Sequence, residues 1–279
     1  MTNYKPLLMK LGTAEDGSDY KLDLTETNGL LIGGRTGSGK TVLMFDIIHE
    51  LAKNNSPRNC EITIVDLMGV DYGYWKGLPH FRRSISKMNP RGAFNYLIWH
   101  CNEILERYSF LTLQKLDSIE QFNEKSTNKM PYCVLVIDEY CDMMNICAQS
   151  PIGHEWFHRC IETMTTLGPA VGVYLVMGTQ RIEPDIITKK ISKAFDTHMA
   201  FQTREKAESD LLIGLPGAEE LGSMGEVIVH QIGQRLDKFK VDYLPDDKIE
   251  EFVNQLNQGK GGIDAETERA ASEPSDAEN

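Results

Sequence analysis

The nine residues Gly33 to Thr41, GGRTGSGKT, constrain this chain more than any others. They stand between an apolar run, Gly29-Leu30-Leu31-Ile32, and a helix-like segment, Val42 to Lys53. Gly34, Gly39, Lys40 and Thr41 satisfy the phosphate-loop pattern G-x-x-x-x-G-K-[ST] in its required context of strand, loop and helix. Gly37 and the small Ser38 let backbone N–H groups turn inward around a polyphosphate, and the following helix adds the positive end of its dipole. Gly34, Arg35, Thr36, Gly37, Ser38, Gly39, Lys40 and Thr41 are therefore expected to bind ATP. Lys40 reaches the β- and γ-phosphates, and Thr41 holds Mg²⁺ through its hydroxyl.

A second motif follows about 100 residues later. Tyr132-Cys133-Val134-Leu135-Val136-Ile137 is an apolar run of strand length that ends on Asp138 and Glu139. With a phosphate loop in the same chain, a carboxylate at such a strand end lies opposite the loop, so Asp138 is expected to hold Mg²⁺. Glu139 is placed to accept a proton from the water that attacks the γ-phosphate. A third buried strand, Val171 to Gly178, stops at Thr179-Gln180-Arg181. A polar side chain there faces the crevice where α/β sheets bind ligands, which makes Gln180 a candidate γ-phosphate sensor. Lys40, Glu139 and Gln180 are thus the expected catalytic set.

The remaining segments read as the frame around these motifs. Residues 1–28 carry a half-buried hairpin, with alternation at Tyr20, Leu22 and Leu24, that leads into the phosphate-loop strand. Glu61 to Leu67 reads as a buried strand ending near Asp66, followed by a loop rich in glycine and aromatics from Gly69 to Gly77. Residues 81–102 contain no acid and include Arg82, Arg83, Lys87 and Arg91, a basic stretch open to three readings: a nucleic-acid face, a subunit contact or a solvated surface. Apolar residues recur at three and four from Gly92 to Lys115, which predicts a long amphipathic helix packed on a core. Shorter helices are expected within 117–131, over 155–167 and over 246–256, and strands over 198–202 and 227–230.

Composition narrows the class further. The chain has 279 residues, 41% of them hydrophobic, enough for one large α/β domain, assigned to 29–258. The six cysteines form no C-x-x-C pair and several lie in apolar segments, so packing thiols are expected rather than a metal site. A formal charge of −12 argues against a protein coated all over by nucleic acid, while leaving room for a local basic channel. Residues 259–279 are glycine-rich at their start and strongly acidic, and they read as a disordered tail. No apolar run long enough to span a membrane and no signal-peptide h-region is present, which points to a cytoplasmic protein.

Taken together, these motifs resemble the motor domain of the FtsK/SpoIIIE DNA translocases, within the FtsK–HerA branch of RecA-like P-loop ATPases. The resemblance is carried by LLIGGRTGSGKT, Gly77-Leu78-Pro79-His80, Leu105-Glu106-Arg107-Tyr108, Phe122-Asn123-Glu124-Lys125, VLVIDEYCDMM, GTQR followed by Asp185-Ile186-Ile187-Thr188, Met199-Ala200-Phe201-Gln202 and GAEELGSMGE. It implies a RecA-like fold with a mainly parallel central sheet flanked by helices. It also implies a homo-oligomeric ring, usually a hexamer, that hydrolyses ATP between subunits and drives double-stranded DNA through its pore. Asp138 and Glu139 become the Walker B pair and Gln180 the sensor, while Lys189, Lys190 and Lys193 fall where the family places a DNA-contacting pore loop.

The chain also departs from the family pattern. Thr166-Leu167-Gly168-Pro169-Ala170 lacks an arginine usual before the strand ending in TQR, and Asp210 stands where another is expected. Arg159, Arg181 and Arg204 are the candidates to act as a finger in a neighbouring subunit. A basic residue usual after Asp66 is also missing, and slow or partner-dependent catalysis is the expectation. With no N-terminal membrane region and no winged-helix reader after Val229, the resemblance suggests a stand-alone motor with a loading partner, serving a mobile element, plasmid or virus. Conjugative coupling, genome packaging, protein secretion and a weakly hydrolysing assembly module remain open alternatives.

Overall fold

Alternation within the apolar runs decides the architecture. In the computed structural model, Leu30 and Ile32 face one hydrophobic core while Leu31 faces another. Val134 and Val136 likewise oppose Cys133, Leu135 and Ile137, and Tyr174 and Val176 oppose Val173, Leu175 and Met177. A strand that is apolar on both faces has to be covered on both, so these runs build the middle of a three-layer structure. The structure describes residues 6–67, 69, 71–83, 90–147, 151–222, 224–233 and 236–260. Lys87 and residues 261–279, nearly all of the acidic tail, lie outside the described residues, and the side chains of Arg83 and Arg91 are likewise not described.

In chain order the strands are β1 (Leu8–Ala14), β2 (Asp19–Asp23), β3 (Leu30–Gly33), β4 (Cys60–Val65), β5 (Phe81–Arg83), β6 (Tyr132–Ile137), β7 (Val173–Thr179), β8 (Thr197–Ala200), β9 (Glu226–Gln231) and β10 (Asp237–Val241). The helices are α1 (Lys40–Asn54), α2 (Pro90–Leu113), α3 (Ile119–Lys125), α4 (Tyr140–Cys147), α5 (Pro151–Leu167), α6 (Lys189–Ala194), α7 (Lys206–Ile213) and α8 (Asp246–Lys260). The strands form one ten-stranded sheet in the order β2-β1-β10-β9-β8-β3-β7-β6-β4-β5. From β8 to β5 neighbours run parallel; from β8 back to β2 they run antiparallel. This is the mainly parallel α/β sheet that the sequence predicts.

α1 and α8 contribute to the core on one face, and α2, α4, α5, α6 and α7 to the core on the other. From β3 the chain crosses through α1 to β4 on one side of the sheet. After β7 it passes back beyond β3 to β8. The C-terminal end of β3 therefore lies at a reversal of winding, the kind of crevice where open α/β sheets accept ligands.

Several elements differ from the sequence reading. The sequence reading places no element at β5, α4, α7 or β10, and where the resemblance implies a pore loop at Lys189, Lys190 and Lys193 the structure has the short helix α6. β10 is half exposed, with only Phe239 and Val241 turned inward between Lys238 and Lys240, so its apolar signal is two residues long. α2 starts at Pro90 rather than Gly92, consistent with the fixed φ of proline suiting a first helical turn. The expected hairpin forms, but β1 joins the sheet through β10, several strands away from β3. In the basic stretch, Arg82 is engaged within the chain: it pairs with Glu61 at 2.7 Å and Glu103 at 3.0 Å and stacks 4.3 Å over Trp99. Its charge is thus paired within the chain. All six cysteines are buried. Among the described residues no helix is long and apolar enough to cross a membrane.

Arg107 ties α2 to the sheet from a position only 7% exposed. Its guanidinium donates to the carbonyls of Pro131 (2.7 Å) and Val171 (3.0 Å) and pairs with Glu103 at 2.8 Å. Arg107→Ala leaves these acceptors unpaired in a buried setting and is expected to lower the unfolding free energy by about 3–5 kcal/mol in urea titration. Asp46 on α1 gives a pH signature. Burial first, then Asp242 and Glu50, push its carboxyl up to about 8. Between the usual carboxylate range and that value the folded chain holds a proton that the unfolded chain has lost, so Asp46 costs stability progressively as pH rises. Against Asp46→Asn, wild-type stability is expected to fall between pH 5 and 8 with a relative slope of up to about 1.4 kcal/mol per pH unit.

Candidate functional site

β3 ends at Gly33, and the chain turns through Gly34–Gly39 into α1. A Cβ at Gly34 would lie 2.5 Å from Cβ of Phe201 and 2.8 Å from Oγ of Ser38, so only glycine permits this approach. Gly39 caps α1 in the left-handed region at φ 111°. The Arg35 N–H donates to the Gln202 carbonyl, and the Gly225 N–H donates to the Ser38 carbonyl, each at 2.9 Å. These bonds pin the loop to the end of β8 and to the turn before β9. Arg35, Thr36 and Gly37 remain exposed, while Ser38 and Lys40 are buried. The loop, Thr41, Gln180 and Met224 line a cavity of about 200 Å³.

The loop fits a polyphosphate on two counts. Its Gly37 crest is open, with no atom within 4 Å of where a Cβ would stand. The buried Ser38 Oγ has no hydrogen-bond partner among the described residues, a costly state unless a ligand or water meets it.

Lys40, 4% exposed, places Nζ 3.2 Å from the Asp138 carbonyl and 3.5 Å from Asp138 Oδ1. A buried ammonium needs such a partner, and Asp138 supplies both charge and hydrogen bond. The next residue is held still more closely. Glu139 Oε1 accepts from the Thr179 hydroxyl at 2.9 Å and from the Cys141 N–H at 3.3 Å, and Oε2 accepts from the Gln180 N–H at 2.9 Å. Burial raises the Glu139 carboxyl above the usual range, while Lys40 and these donors oppose the rise. Gln180 Oε1 in turn accepts from the Thr36 hydroxyl at 2.6 Å, which joins the end of β7 to the loop.

Negative charge accumulates around Asp138. Asp71 is raised by burial first and then by Asp138 and Asp66, with Lys40 opposing. Among the described residues no three His, Cys, Asp or Glu side chains form a cage for a metal ion. Asp138 together with the Thr41 hydroxyl instead suits a magnesium ion that takes its other ligands from phosphate and water.

The loop, Lys40, Asp138, Glu139 and Gln180 thus meet at one end of the parallel strands. The other sequence candidates stand apart from them. Lys189, Lys190 and Lys193 lie exposed on the short helix α6, capped by Thr188 and anchored by buried Ile191. Lys190 is engaged by Glu162 at 3.0 Å. Arg159 is exposed on α5 and pairs with Glu155 at 2.8 Å. Arg204 is exposed before α7. Arg181 adjoins Gln180, and its charge reaches Cys141 at the start of α4. None of these arginine side chains bonds to Asp138 or Glu139 among the described residues.

Two contributors went unread in the sequence. In the sequence Thr179 marks only a strand end; in the structure its hydroxyl holds Glu139. Tyr72 was one aromatic among several in a loop, and its hydroxyl lies 3.2 Å from Asp138 Oδ1. Local pattern carries no sign of either contact, because each partner is remote in sequence.

Comparison with known proteins adds to this geometry. The family model described as FtsK/SpoIIIE family matches residues 1–184. The DNA translocase FtsK of Agrobacterium fabrum (strain C58 / ATCC 33970) is 27% identical over 283 residues, covering 90% of this chain and 31% of that protein. The DNA translocase FtsK of Chlamydia muridarum (strain MoPn / Nigg) is 30% identical over 265 residues, covering 90% of this chain and 32% of that protein. The chain spans about a third of the length of these curated relatives. Among solved structures, the pCW3 conjugation coupling protein TcpA with ATPγS superposes with a TM-score of 0.78 at 20% identity, over 93% of this chain and 73% of that one. The cytoplasmic domain of the type VII secretion ATPase EccC from Thermomonospora curvata gives 0.77 at 23% identity, over 92% and 32%. At these identities the structural likeness is one of fold.

Proposed function

The chain belongs to the FtsK/SpoIIIE family, and from that premise we propose that it is a Mg·ATP-driven motor that moves DNA as a homo-oligomeric ring. The observation that carries the reading is the contact of buried Lys40 with Asp138, next to a Glu139 whose carboxylate is fixed by Thr179 and Gln180. A lysine, a metal-binding carboxylate and a second carboxylate are the parts that phosphoryl transfer to water requires.

In this reading the loop N–H groups and Lys40 bind the β- and γ-phosphates, and Lys40 moves from Asp138 to the phosphates as ATP enters. Thr41 and Asp138 are the residues that would hold a magnesium ion, whose charge would stabilise the transferred phosphoryl group. Glu139 takes the proton of the attacking water, and its raised carboxyl makes it a better base than an exposed glutamate. Gln180 joins the phosphate loop to Glu139 through Thr36 and its own backbone, so a change at the γ-phosphate reaches both. The absence of an arginine at Asp138 or Glu139 among the described residues favours a finger from a neighbouring chain, with Arg159, Arg181 and Arg204 as the candidates. Lys189 and Lys193 on α6 are the freer of the candidate DNA contacts, since Lys190 is engaged by Glu162. The names of the relatives support DNA as the cargo.

The test is steady-state ATP hydrolysis with and without long double-stranded DNA at modest salt, where phosphate contacts are strong. DNA is expected to raise turnover several-fold, and Glu139→Gln to lower it by about 100-fold or more. The acid limb of the rate profile should lie above the ordinary glutamate range of about 4.3, because Glu139 has to be deprotonated to act. Hydrolysis indifferent to DNA would overturn the DNA motor and direct attention to protein cargo; failure to bind ATP would overturn the whole reading.

A further inference from the structure

We infer that Tyr72 is a positioning residue for Asp138: its hydroxyl holds Oδ1 and so presents the carboxylate for divalent-cation binding once Lys40 has turned to the phosphates. The inference rests on the nucleotide reading above. Oδ1 receives both protein contacts, from Lys40 Nζ at 3.5 Å and from the Tyr72 hydroxyl at 3.2 Å. Among the described residues no side chain donates to Oδ2. The carboxylate is therefore held by one oxygen and offered by the other. If Lys40 leaves for a nucleotide, Tyr72 becomes the only side chain among the described residues that still bonds to it.

Tyr72 is equipped for that task. It is 8% exposed, and its ring packs edge-on against Phe45 of α1 with centroids 5.2 Å apart. The hydroxyl also lies 3.3 Å from Met44 Sδ, so the helix that begins in the phosphate loop sets its position twice. Towards a carboxylate oxygen a tyrosine hydroxyl acts as a donor.

The turn that carries Tyr72 is itself braced. Trp75, fully buried, sits edge-on to Phe45 at 6.0 Å and to Phe252 of α8 at 6.5 Å. Asn257 of α8 donates to the Gly77 carbonyl at 3.1 Å. α8 thus fixes the turn from outside while α1 fixes it from within. Asp66 and Asp71 add negative charge near Asp138, with Lys40 the cation that opposes it. A carboxylate in that field needs a neutral donor to stay oriented without cancelling its attraction for a cation.

The test is equilibrium binding of a fluorescent ATP analogue titrated with Mg²⁺, compared between wild type and Tyr72→Phe. The phenylalanine keeps the ring and removes the hydroxyl. Loss of the bond is expected to raise the half-saturating Mg²⁺ concentration by about tenfold, the scale of an outer-shell partner of a metal ligand. Nucleotide affinity without Mg²⁺ and the thermal midpoint should stay within error of wild type. Asp138→Asn should abolish the Mg²⁺ dependence in both backgrounds. Unchanged Mg²⁺ dependence in Tyr72→Phe, with the wild type responsive, would overturn the inference and leave the nucleotide reading intact. A wild type that binds nucleotide with no Mg²⁺ dependence, or not at all, would instead overturn the nucleotide reading. If Tyr72→Phe loses stability, Met44→Leu gives the same comparison with the hydroxyl retained: an unchanged Mg²⁺ response there supports the hydroxyl, and a tenfold loss assigns the effect to packing.

Discussion

The contact between Lys40 and Asp138 is the interaction on which the rest of this structure depends. A lysine ammonium removed from water is expensive unless an anion and hydrogen-bond acceptors meet it. Here the acceptor comes from a strand end 98 positions away in sequence. Meeting it requires β3 and β6 to end level with each other, with only β7 between them, and it requires α1 to start at the end of β3. The parallel register of β3 with β7 and of β7 with β6 provides that alignment. Strand order and register thus serve the site as well as the core.

The same arrangement explains why the phosphate loop, Glu139 and Gln180 are joined by hydrogen bonds into one unit. Thr179 and Gln180 leave the end of β7, the strand that separates β3 from β6. From there they reach in both directions, to Glu139 on one side and to Thr36 on the other. A displacement at the loop therefore has a continuous path to the second carboxylate. The bonds to Glu139 are part-buried, where each lost partner carries a larger penalty than in water, while the bond from Thr36 to Gln180 is exposed.

Around this centre the charges divide by place. Arg82, which is exposed, pairs with Glu61 and Glu103, and the buried Arg107 is satisfied by Glu103 and two carbonyls beneath α2, so both serve the fold. Lys189 and Lys193 remain exposed on a helix outside the nucleotide cavity. A formal charge of −12 for the whole chain would repel a polyanion. Any approach of DNA to one chain then depends on local positive clusters and on how copies are arranged.

The sequence by itself determined the class of fold and the chemistry at its centre. GGRTGSGKT, the run ending in Asp138 and Glu139, and the run ending at Gln180 are local patterns, and their backbone states follow from glycine, apolar alternation and helix starts. The β3, β6 and β7 strands and the long α2 helix were legible for the same reason. β10 was not, because only Phe239 and Val241 mark it, and neither was the capture of Arg82 by Glu61 and Glu103. Tertiary structure alone decided that Tyr72 meets Asp138, that Thr179 holds Glu139 and that α8 braces the turn between them. Those contacts join residues from separate segments, and their geometry depends on strand order and helix packing. A residue type can announce what it is able to donate or accept; only the packed sheet fixes the partner within reach.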